Sequence, residues 1–233
     1  MREIVLDTET TGLDPLRGDR LVEIGCVELF NRMPTGQTFH RHINPERDMP
    51  AEAFAVHGLS AEFLSGKPLF TEVVEEFLEF IAEAPLVIHN ASFDISFINA
   101  ELDRIKRQPI PRDRLVDTLL LARRKHPAGP NRLDDLCARY GIDNSRRSKH
   151  GALLDAEILA EVYLELIGAR QAQLGLAESG TRSGNTRNGV AARRERAVAL
   201  TPRVTDADRE AHRQFVATLG ENALWLNYLP DGA

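Results

Sequence analysis

Four acidic side chains occupy positions where the surrounding apolar pattern directs them into a folded domain. Asp7 and Glu9 are two residues apart at the end of the apolar run 4–6, so a strand would point both carboxylates to one face, about 6 to 7 Å apart along the backbone. Asp94 and Asp155 each begin a row of apolar residues at helical spacing. The rows are Ile98, Leu102 and Ile105 after Asp94, and Leu159, Val162 and Leu166 after Asp155.

Buried carboxylates at this density need positive charge nearby, because they repel one another and because burial disfavours the ionised form. We expect the neighbouring sequence to supply too few buried Arg or Lys side chains for this purpose. Oxygen-rich sites bind hard divalent cations, with Mg²⁺ the first choice and Mn²⁺ a close substitute. The sequence therefore predicts that Asp7, Glu9, Asp94 and Asp155 bind metal.

His150 lies five residues before Asp155, which places it on a loop at the entrance of the same site. A histidine titrates near neutral pH and can therefore accept a proton from water. Simpler explanations stay open for four of these residues: a strand end that meets solvent for Asp7 and Glu9, a helix N-terminal carboxylate for Asp94, and a surface side chain for His150.

The elements that must position these residues follow a regular order in residues 1–170. Apolar periodicity predicts three strands in an antiparallel meander, followed by strands that alternate with helices. The strands are predicted at 3–7, 21–30, 38–43, 86–89 and 115–117, with a turn at 34–36, and the helices at 69–82, 93–107, 118–125, 132–140 and 152–168. This order is typical of an α/β domain in which helices flank a mixed sheet.

The composition changes after this domain. Residues 177–197 are rich in Gly, Ser, Thr, Asn and Arg, so we assign 171–197 to a flexible linker. In the last part, 198–233, Thr205 and Asp208 have the spacing of a capping box that opens a helix ending near Leu219. So short a segment cannot bury the apolar cluster at 224–229 alone. We expect it to dock on another protein, the alternative being that it folds back on its own domain.

Charge is unevenly distributed along the 233 residues, whose formal net charge is −6. Residues 1–100 carry 7 basic and 17 acidic side chains, whereas residues 101–150 carry 13 basic and 7 acidic ones. The basic segment is either a set of solvated helix faces or a surface that binds phosphate groups. No apolar run approaches the roughly 18 residues of a membrane-spanning helix, so we expect no membrane partner and a cytoplasmic location.

Three motifs resemble those of the DEDDh 3′→5′ exonucleases. They are Asp7-Thr8-Glu9-Thr10-Thr11-Gly12, His89-Asn90-Ala91-Ser92-Phe93-Asp94 and His150-Gly151-Ala152-Leu153-Leu154-Asp155, and Val56-His57-Gly58-Leu59 matches a further segment of the family. The resemblance implies a ribonuclease H-like fold with a mixed five-stranded sheet.

The same resemblance implies a reaction and a set of roles. The reaction is hydrolysis of the terminal phosphodiester at a 3′ end, with release of a nucleoside 5′-monophosphate. Two divalent metal ions would be bound by the four acids, with His150 as the general base. The residues implied to hold the terminal nucleotide are Thr8, Glu9, Thr10, Leu13, His57 and Phe93.

Within this family the chain is most similar to the proofreading epsilon subunits of bacterial DNA polymerase III. This similarity implies a mispaired DNA 3′ end as substrate, and binding of the polymerase alpha subunit by the C-terminal segment. Gln173, Leu174 and Leu176 resemble the short peptide by which such subunits contact the sliding clamp, or else they continue the preceding helix. Two other functions stay open: a free-standing exonuclease acting on RNA ends or short oligonucleotides, and a polymerase-bound scaffold without catalysis.

Overall fold

The computed structural model describes residues 1–147, 149–169 and 204–220. The chain divides into two units, residues 1–175 and 176–233. Among the described residues, the first unit contains a sheet with its flanking helices and the second contains one helix. None of the helices in these ranges is long and apolar enough to cross a membrane.

The first unit is built on a five-stranded sheet. Its strands are β1 (Arg2–Thr10), β2 (Leu21–Phe30), β3 (Met33–His42), β4 (Leu86–Ile88) and β5 (Leu115–Asp117). Their order is β3-β2-β1-β4-β5, in which β1, β2 and β3 are antiparallel neighbours and β4 and β5 continue parallel to β1. This arrangement confirms the predicted mixed sheet, in which a meander precedes strands that alternate with helices.

The turn between β2 and β3 lies earlier than predicted. Asn31 and Arg32 make it, with φ angles of 49° and 68°, the pair of left-handed residues that a two-residue hairpin turn requires. The predicted turn at 34–36 is wrong, because Pro34 and its neighbours belong to β3. β3 is an edge strand, where the missing N–H of a proline is tolerated.

Helices lie on both faces of the sheet. The α-helices in the described part of the first unit are α1 (Ala51–His57), α2 (Ala61–Ser65), α3 (Phe70–Ile81), α4 (Ala91–Arg104), α5 (Thr118–Lys125), α6 (Leu133–Tyr140) and α7 (Ala152–Leu166). The sequence predicts α3 to α7 to within three residues of these bounds. It misses α1 and α2, because helices of 7 and 5 residues are too short to show an apolar period.

The alternation of side chains along β1 supplies both cores. Ile4 and Leu6 pack in a cluster with Phe77 of α3. Val5 points to the other face and packs with Leu159 of α7. The sheet is therefore held between α3 and α4 on one side and α7 on the other.

The described part of the second unit, residues 204–220, contains α8 (Asp206–Ala217). Thr205 and Asp208 form the predicted capping box: the Asp208 backbone N–H donates to Thr205 Oγ1 at 3.2 Å, and the Thr205 N–H donates to Asp208 Oδ2 at 2.9 Å. The helix ends two residues before the predicted Leu219. The apolar cluster at 224–229 and the clamp-like residues Gln173, Leu174 and Leu176 lie outside the described residues.

Candidate active site

The four acids singled out by the sequence converge at the end of β1. Asp7 and Glu9 extend from β1 itself, whereas Asp94 and Asp155 lie in the first turns of α4 and α7. Ligand atoms of Glu9, His150 and Asp155 lie within 4.8 Å of one another, and Asp7 and Asp94 line the same cavity as Glu9 and His150. The structure thus brings these five side chains together, while their roles remain a prediction.

A hydrogen bond fixes Asp94 against β1. Thr8 Oγ1 donates to Asp94 Oδ1 at 2.6 Å, and both residues are buried. Ile98 and Leu102, which follow Asp94 along α4, are fully buried. Asp94 therefore heads an inward-facing row, as its spacing predicts, and its position at the helix N-terminus favours a negative charge.

Gly25 allows α7 to bring Asp155 to the site. It pairs with Asp7 across β1 and β2, and a Cβ at this position would lie 2.2 Å from backbone atoms of Ala152 and Leu153. Only glycine leaves room for the first turn of α7 at this point. Sequence reasoning missed this role, although a glycine inside an apolar strand pattern is a known sign of close backbone approach.

Burial and like charge set the electrostatics of the cluster. Burial raises the pKa of Glu9 to about 8, with further increases from Asp155, Glu23 and Asp94. Burial also raises the pKa of Asp94 to about 7, although hydrogen bonds involving Thr8 oppose the increase. The pKa of Asp7 lies well above its ordinary value, chiefly because of burial and then because of its acidic neighbours. The ionised forms of Asp7, Glu9 and Asp94 are therefore poorly stabilised by their surroundings.

Asp155 is the exception, because an arginine neutralises it. Arg147 Nε donates to Asp155 Oδ1 at 2.5 Å and Arg147 Nη2 donates to Oδ2 at 2.7 Å, while Nη1 donates to Asp134 at 2.6 Å. Burial alone would raise the pKa of Asp155, but its contacts with His150 and with the Arg147 guanidinium outweigh burial and hold the pKa below its ordinary value.

The expectation that nearby basic residues do not compensate the acids is therefore wrong for Asp155. The Arg147 side chain is only 7% exposed. No sequence pattern separated it from the other basic residues of 101–150, because a contact across a loop has no fixed spacing. Within the described ranges, no Arg or Lys forms an ion pair with Asp7, Glu9 or Asp94.

His150 lies at the entrance of the site, as predicted. Its Nδ1 is 2.8 Å from Arg147 Nη2 and 3.3 Å from Asp155 Oδ2. Because a guanidinium can only donate, Nδ1 accepts from Arg147 in this arrangement. The His150 backbone N–H donates to the Val56 carbonyl at 3.2 Å, which ties the loop to α1.

One cavity of about 640 Å³ gathers all the residues that the sequence assigned to the terminal nucleotide. Val56 and Ala53 of α1 complete its apolar wall. His57 is buried, and burial lowers its pKa, so its ring is neutral near pH 7. The assigned residues are Thr8, Glu9, Thr10, Leu13, His57 and Phe93.

A second cavity of about 620 Å³ adjoins the first and shares Asp7, His89 and His150 with it. Arg123 and Arg132 line it together with Arg147, Asn90, Asn131 and Asp155. Arginines of the basic segment 101–150 therefore flank the carboxylates. His89 belongs to the second motif but received no role from the sequence, and its Nδ1 lies 2.9 Å from Thr118 Oγ1.

Comparison with known proteins identifies the family. A family described as "Exonuclease" matches residues 4–163. The chain belongs to this exonuclease family. Among its relatives, DNA polymerase III subunit epsilon of Rickettsia felis is 45% identical over 226 residues, which cover 96% of this chain and 99% of the relative. DNA polymerase III subunit epsilon of Escherichia coli is 51% identical over 177 residues, covering 72% of each chain.

Solved structures share the fold of this exonuclease. Exonuclease X in complex with 5′ overhanging duplex DNA superposes with a TM-score of 0.56 at 23% identity, covering 71% of this chain and 91% of that one. The nuclease domain of 3′hExo, a DEDDh family member bound to rAMP, gives a TM-score of 0.62 at 15% identity, covering 72% and 92%. The ribonuclease H-like fold expected from the sequence is thereby confirmed.

DEDDh exonucleases depend on divalent metal ions, and the donor set of this exonuclease fits such ions. Its carboxylate oxygens are the hard ligands that divalent cations prefer. The pKa values of Asp7, Glu9 and Asp94 are raised chiefly by burial and then by neighbouring acids, so their ionised forms are poorly stabilised, and a bound cation would stabilise them. The residues present are therefore suited to metal.

Proposed function

We propose that this exonuclease removes mispaired nucleotides from the 3′ end of DNA as the proofreading subunit of a replicative DNA polymerase. One observation carries the proposal: the four carboxylates lie where a cavity of about 640 Å³ with apolar walls meets a cavity of about 620 Å³ lined by arginines. The first cavity suits a single terminal nucleotide. The second suits the phosphates of the strand that leads to it.

The relatives favour this substrate over the two alternatives. Proteins named DNA polymerase III subunit epsilon are 45% to 55% identical to this chain. The match to the Rickettsia felis protein extends over 96% of the chain and so continues beyond the exonuclease domain. A free-standing RNA exonuclease would need no such extension, and a scaffold without catalysis would need no clustered acids.

We assign two divalent ions, Mg²⁺ or Mn²⁺, to Asp7, Glu9, Asp94 and Asp155. When bound, such ions lower the pKa of an attacking water and stabilise the charge on the departing 3′ oxygen. The protein holds the four carboxylates in place. The hydrogen bond from Thr8 positions Asp94, and the close packing of α7 on Gly25 positions Asp155.

His150 is the proposed general base for the water. Its Nδ1 lies beside Asp155 and so points towards the proposed metal site. To accept the proton of the water, Nδ1 must first lose the hydrogen bond that Arg147 Nη2 donates to it. Leu13 and Phe93 are proposed to pack against the terminal base. The neutral His57 ring and the β1 residues Thr8 to Thr10 are proposed to hold the sugar and its 3′ hydroxyl.

A comparison of three substrates tests the proposal. The full-length chain in Mg²⁺ is given a labelled DNA primer with a mispaired 3′ nucleotide on its template, the same primer correctly paired, and a single-stranded RNA of the same sequence. We expect release of the 3′ nucleotide as a monophosphate to be fastest from the mispaired primer. Faster degradation of the RNA would contradict the proposal and favour the free-standing exonuclease.

We further propose that the chain comprises an exonuclease domain (1–170), a flexible linker (171–197) and a segment (198–233) that docks on the polymerase alpha subunit. Sequence composition and the match to full-length epsilon subunits support this division. Gln173, Leu174 and Leu176 are the proposed contact with the sliding clamp.

Capture experiments with two variants test this division. Removing 198–233 should abolish capture of the alpha subunit but leave capture of the clamp unchanged. The double substitution Gln173→Ala and Leu174→Ala should abolish capture of the clamp but leave capture of the alpha subunit unchanged. Capture of the alpha subunit by the truncated chain would refute the docking segment.

A further inference from the structure

A second group of possible metal ligands lies beside the acidic cluster, on β2 and β3. Glu23 pairs directly with His42, and Gly25 pairs with His40. Paired residues on neighbouring strands share a face of the sheet, so Glu23, His40 and His42 face the same way. Their ligand atoms lie within 4.8 Å of one another.

The distances resemble those around a small metal ion. His40 Nε2 lies 2.6 Å from Glu23 Oε1, and His42 Nε2 lies 3.5 Å from the same oxygen. Zinc binds imidazole nitrogen and carboxylate oxygen at about 2.0 to 2.2 Å in tetrahedral sites, which separates neighbouring ligand atoms by about 3.4 Å. Movements of about 1 Å or less would therefore bring all three atoms to one ion.

The surroundings of Glu23 favour a cation. Its side chain is only 5% exposed, and within the described ranges no Arg or Lys forms an ion pair with it. Glu9 is paired with Glu23 on the other side of β2, so a second carboxylate lies next to the first. Lys67 lies near His42, but its Nζ lies over the Phe63 ring at 4.0 Å from the centroid. A buried carboxylate whose partners are imidazoles is compensated when those imidazoles either carry a proton or bind a cation together with it, and the convergence of two imidazoles on one carboxylate suits the second arrangement.

We propose that Glu23, His40 and His42 form a site for a transition-metal ion, with Zn²⁺ as the ion of choice. Two imidazoles and one carboxylate suit zinc, whereas the catalytic acids offer the oxygen ligands that Mg²⁺ prefers. The His40 and His42 side chains are 35% and 24% exposed, which leaves the ion a path to solvent and a position for a water ligand. The bound ion would join the edge strand β3 to β2 beside Glu9. This site does not depend on the exonuclease reaction.

Equilibrium dialysis with Zn²⁺ in excess Mg²⁺ tests the site. The full-length chain carries Asp7→Asn and Asp155→Asn, which weaken zinc binding by the catalytic acids. We expect one Zn²⁺ per chain in this background. Adding His40→Gln and His42→Gln should weaken its binding by about 100-fold or more, because losing even an outer partner of a metal ligand costs about 10- to 100-fold. Adding His126→Gln instead, at a histidine that bonds Tyr140, should leave binding unchanged.

A second measurement needs no substitution of the ligands. The imidazole NMR signals of His40 and His42 should both shift on addition of one equivalent of Zn²⁺, whereas those of His126 should stay in place. Either of two results would overturn the proposal: no stoichiometric zinc in the background variant, or zinc binding that survives loss of both histidines in a chain whose circular dichroism shows that it is folded. Unmoved signals of His40 and His42 would overturn it independently.

Discussion

At the scale of single residues, the ionised acids of the cluster destabilise the metal-free folded protein, and a bound cation would reduce this destabilisation. Burial, followed by Asp155, Glu23 and Asp94, raises the pKa of Glu9 from 4.5 to about 8. Between these values the unfolded chain loses the Glu9 proton while the folded protein keeps it. The contribution of Glu9 to folding stability is therefore fully present below pH 4.5 and is lost as the pH rises towards 8.

Glu9→Gln should remove this pH dependence in the metal-free protein. Each pKa unit corresponds to about 1.4 kcal/mol, so the gain at pH 8 has an upper limit of about 5 kcal/mol. Urea unfolding in EDTA should show the variant to be more stable than the unsubstituted protein at pH 8 and equally stable at pH 4.5. Glu62→Gln, at an exposed residue, should change neither value. An unchanged stability of Glu9→Gln at pH 8 would show that Glu9 is not strained.

Arg147 stabilises the site in the absence of metal. Arg147→Met removes the guanidinium that pairs with the buried Asp155 charge, and breaking a buried ion pair typically costs about 3 to 5 kcal/mol. We expect a loss of this size in metal-free urea unfolding at pH 7, and a smaller loss in Mg²⁺, because a bound cation replaces the guanidinium. Arg146→Met is the matched control: its side chain is 70% exposed and lies 3.6 Å from Glu157, so the loss should stay below about 1 kcal/mol. Equal losses for the two variants would refute the role of Arg147.

His150→Gln tests the proton acceptor. A positioned general base contributes about 10²- to 10⁴-fold to the rate, so the variant should release nucleotides at least about 10²-fold more slowly in Mg²⁺. His126→Gln, at a histidine that bonds Tyr140, should keep the rate of the unsubstituted protein. If His150→Gln also kept that rate, another group would be the base.

The sequence predicted the acids and His150 because each has a local signature. Asp7 and Glu9 follow a strand-like run, and Asp94 and Asp155 each head an apolar helical row. The ion pair between Arg147 and Asp155 could not be predicted, because a loop of unspecified path connects the two residues. Such contacts depend on the folded backbone and not on residue spacing.

At the scale of elements, the approach of α7 to β2 decides where Asp155 lies. Gly25→Ala would bring a Cβ within 2.2 Å of the α7 backbone, so the helix must shift. We expect a loss of stability of about 1 to 3 kcal/mol, as for other overpacked sites, and a fall in kcat of about 10²-fold, because misplacement by about 1 Å can cost that much.

Gly66→Ala is the control for this substitution. A Cβ at Gly66 meets no atom within 4 Å, and its φ of −92° suits alanine. Melting temperature and nucleotide release should therefore be unchanged in Gly66→Ala. If Gly25→Ala proved equally harmless, α7 would not depend on the glycine for its position.

The elements also show where sequence patterns stop being informative. Long periodic segments such as α3 and β2 were predicted nearly residue by residue. The hairpin turn was misplaced because Pro34 and Gly36 are strong turn signals, yet the left-handed residues Asn31 and Arg32 formed the turn. The short helix α1, which carries His57 to the cavity of about 640 Å³, has too few residues for a period to emerge.

At the scale of the whole molecule, the net charge of −6 does not oppose DNA binding. The acidic residues 1–100 supply Asp7, Glu9 and Asp94, which are suited to divalent ions, while the basic segment 101–150 supplies arginines to the adjoining cavity. Opposite charges are thus separated within one cleft. We therefore propose that the acids bind metal ions and that the arginines bind the phosphates of DNA.

The most direct test of the central claim is nucleotide release from a DNA primer with a mispaired 3′ end, measured in Mg²⁺ with Asp7→Asn. Asp7 lines both cavities, so its loss should lower the rate by at least about 10²-fold, with circular dichroism showing the fold intact. Asp103→Asn, at an exposed aspartate of α4, should keep the full rate. Release of monophosphate by Asp7→Asn at the rate of the unsubstituted protein would contradict the account.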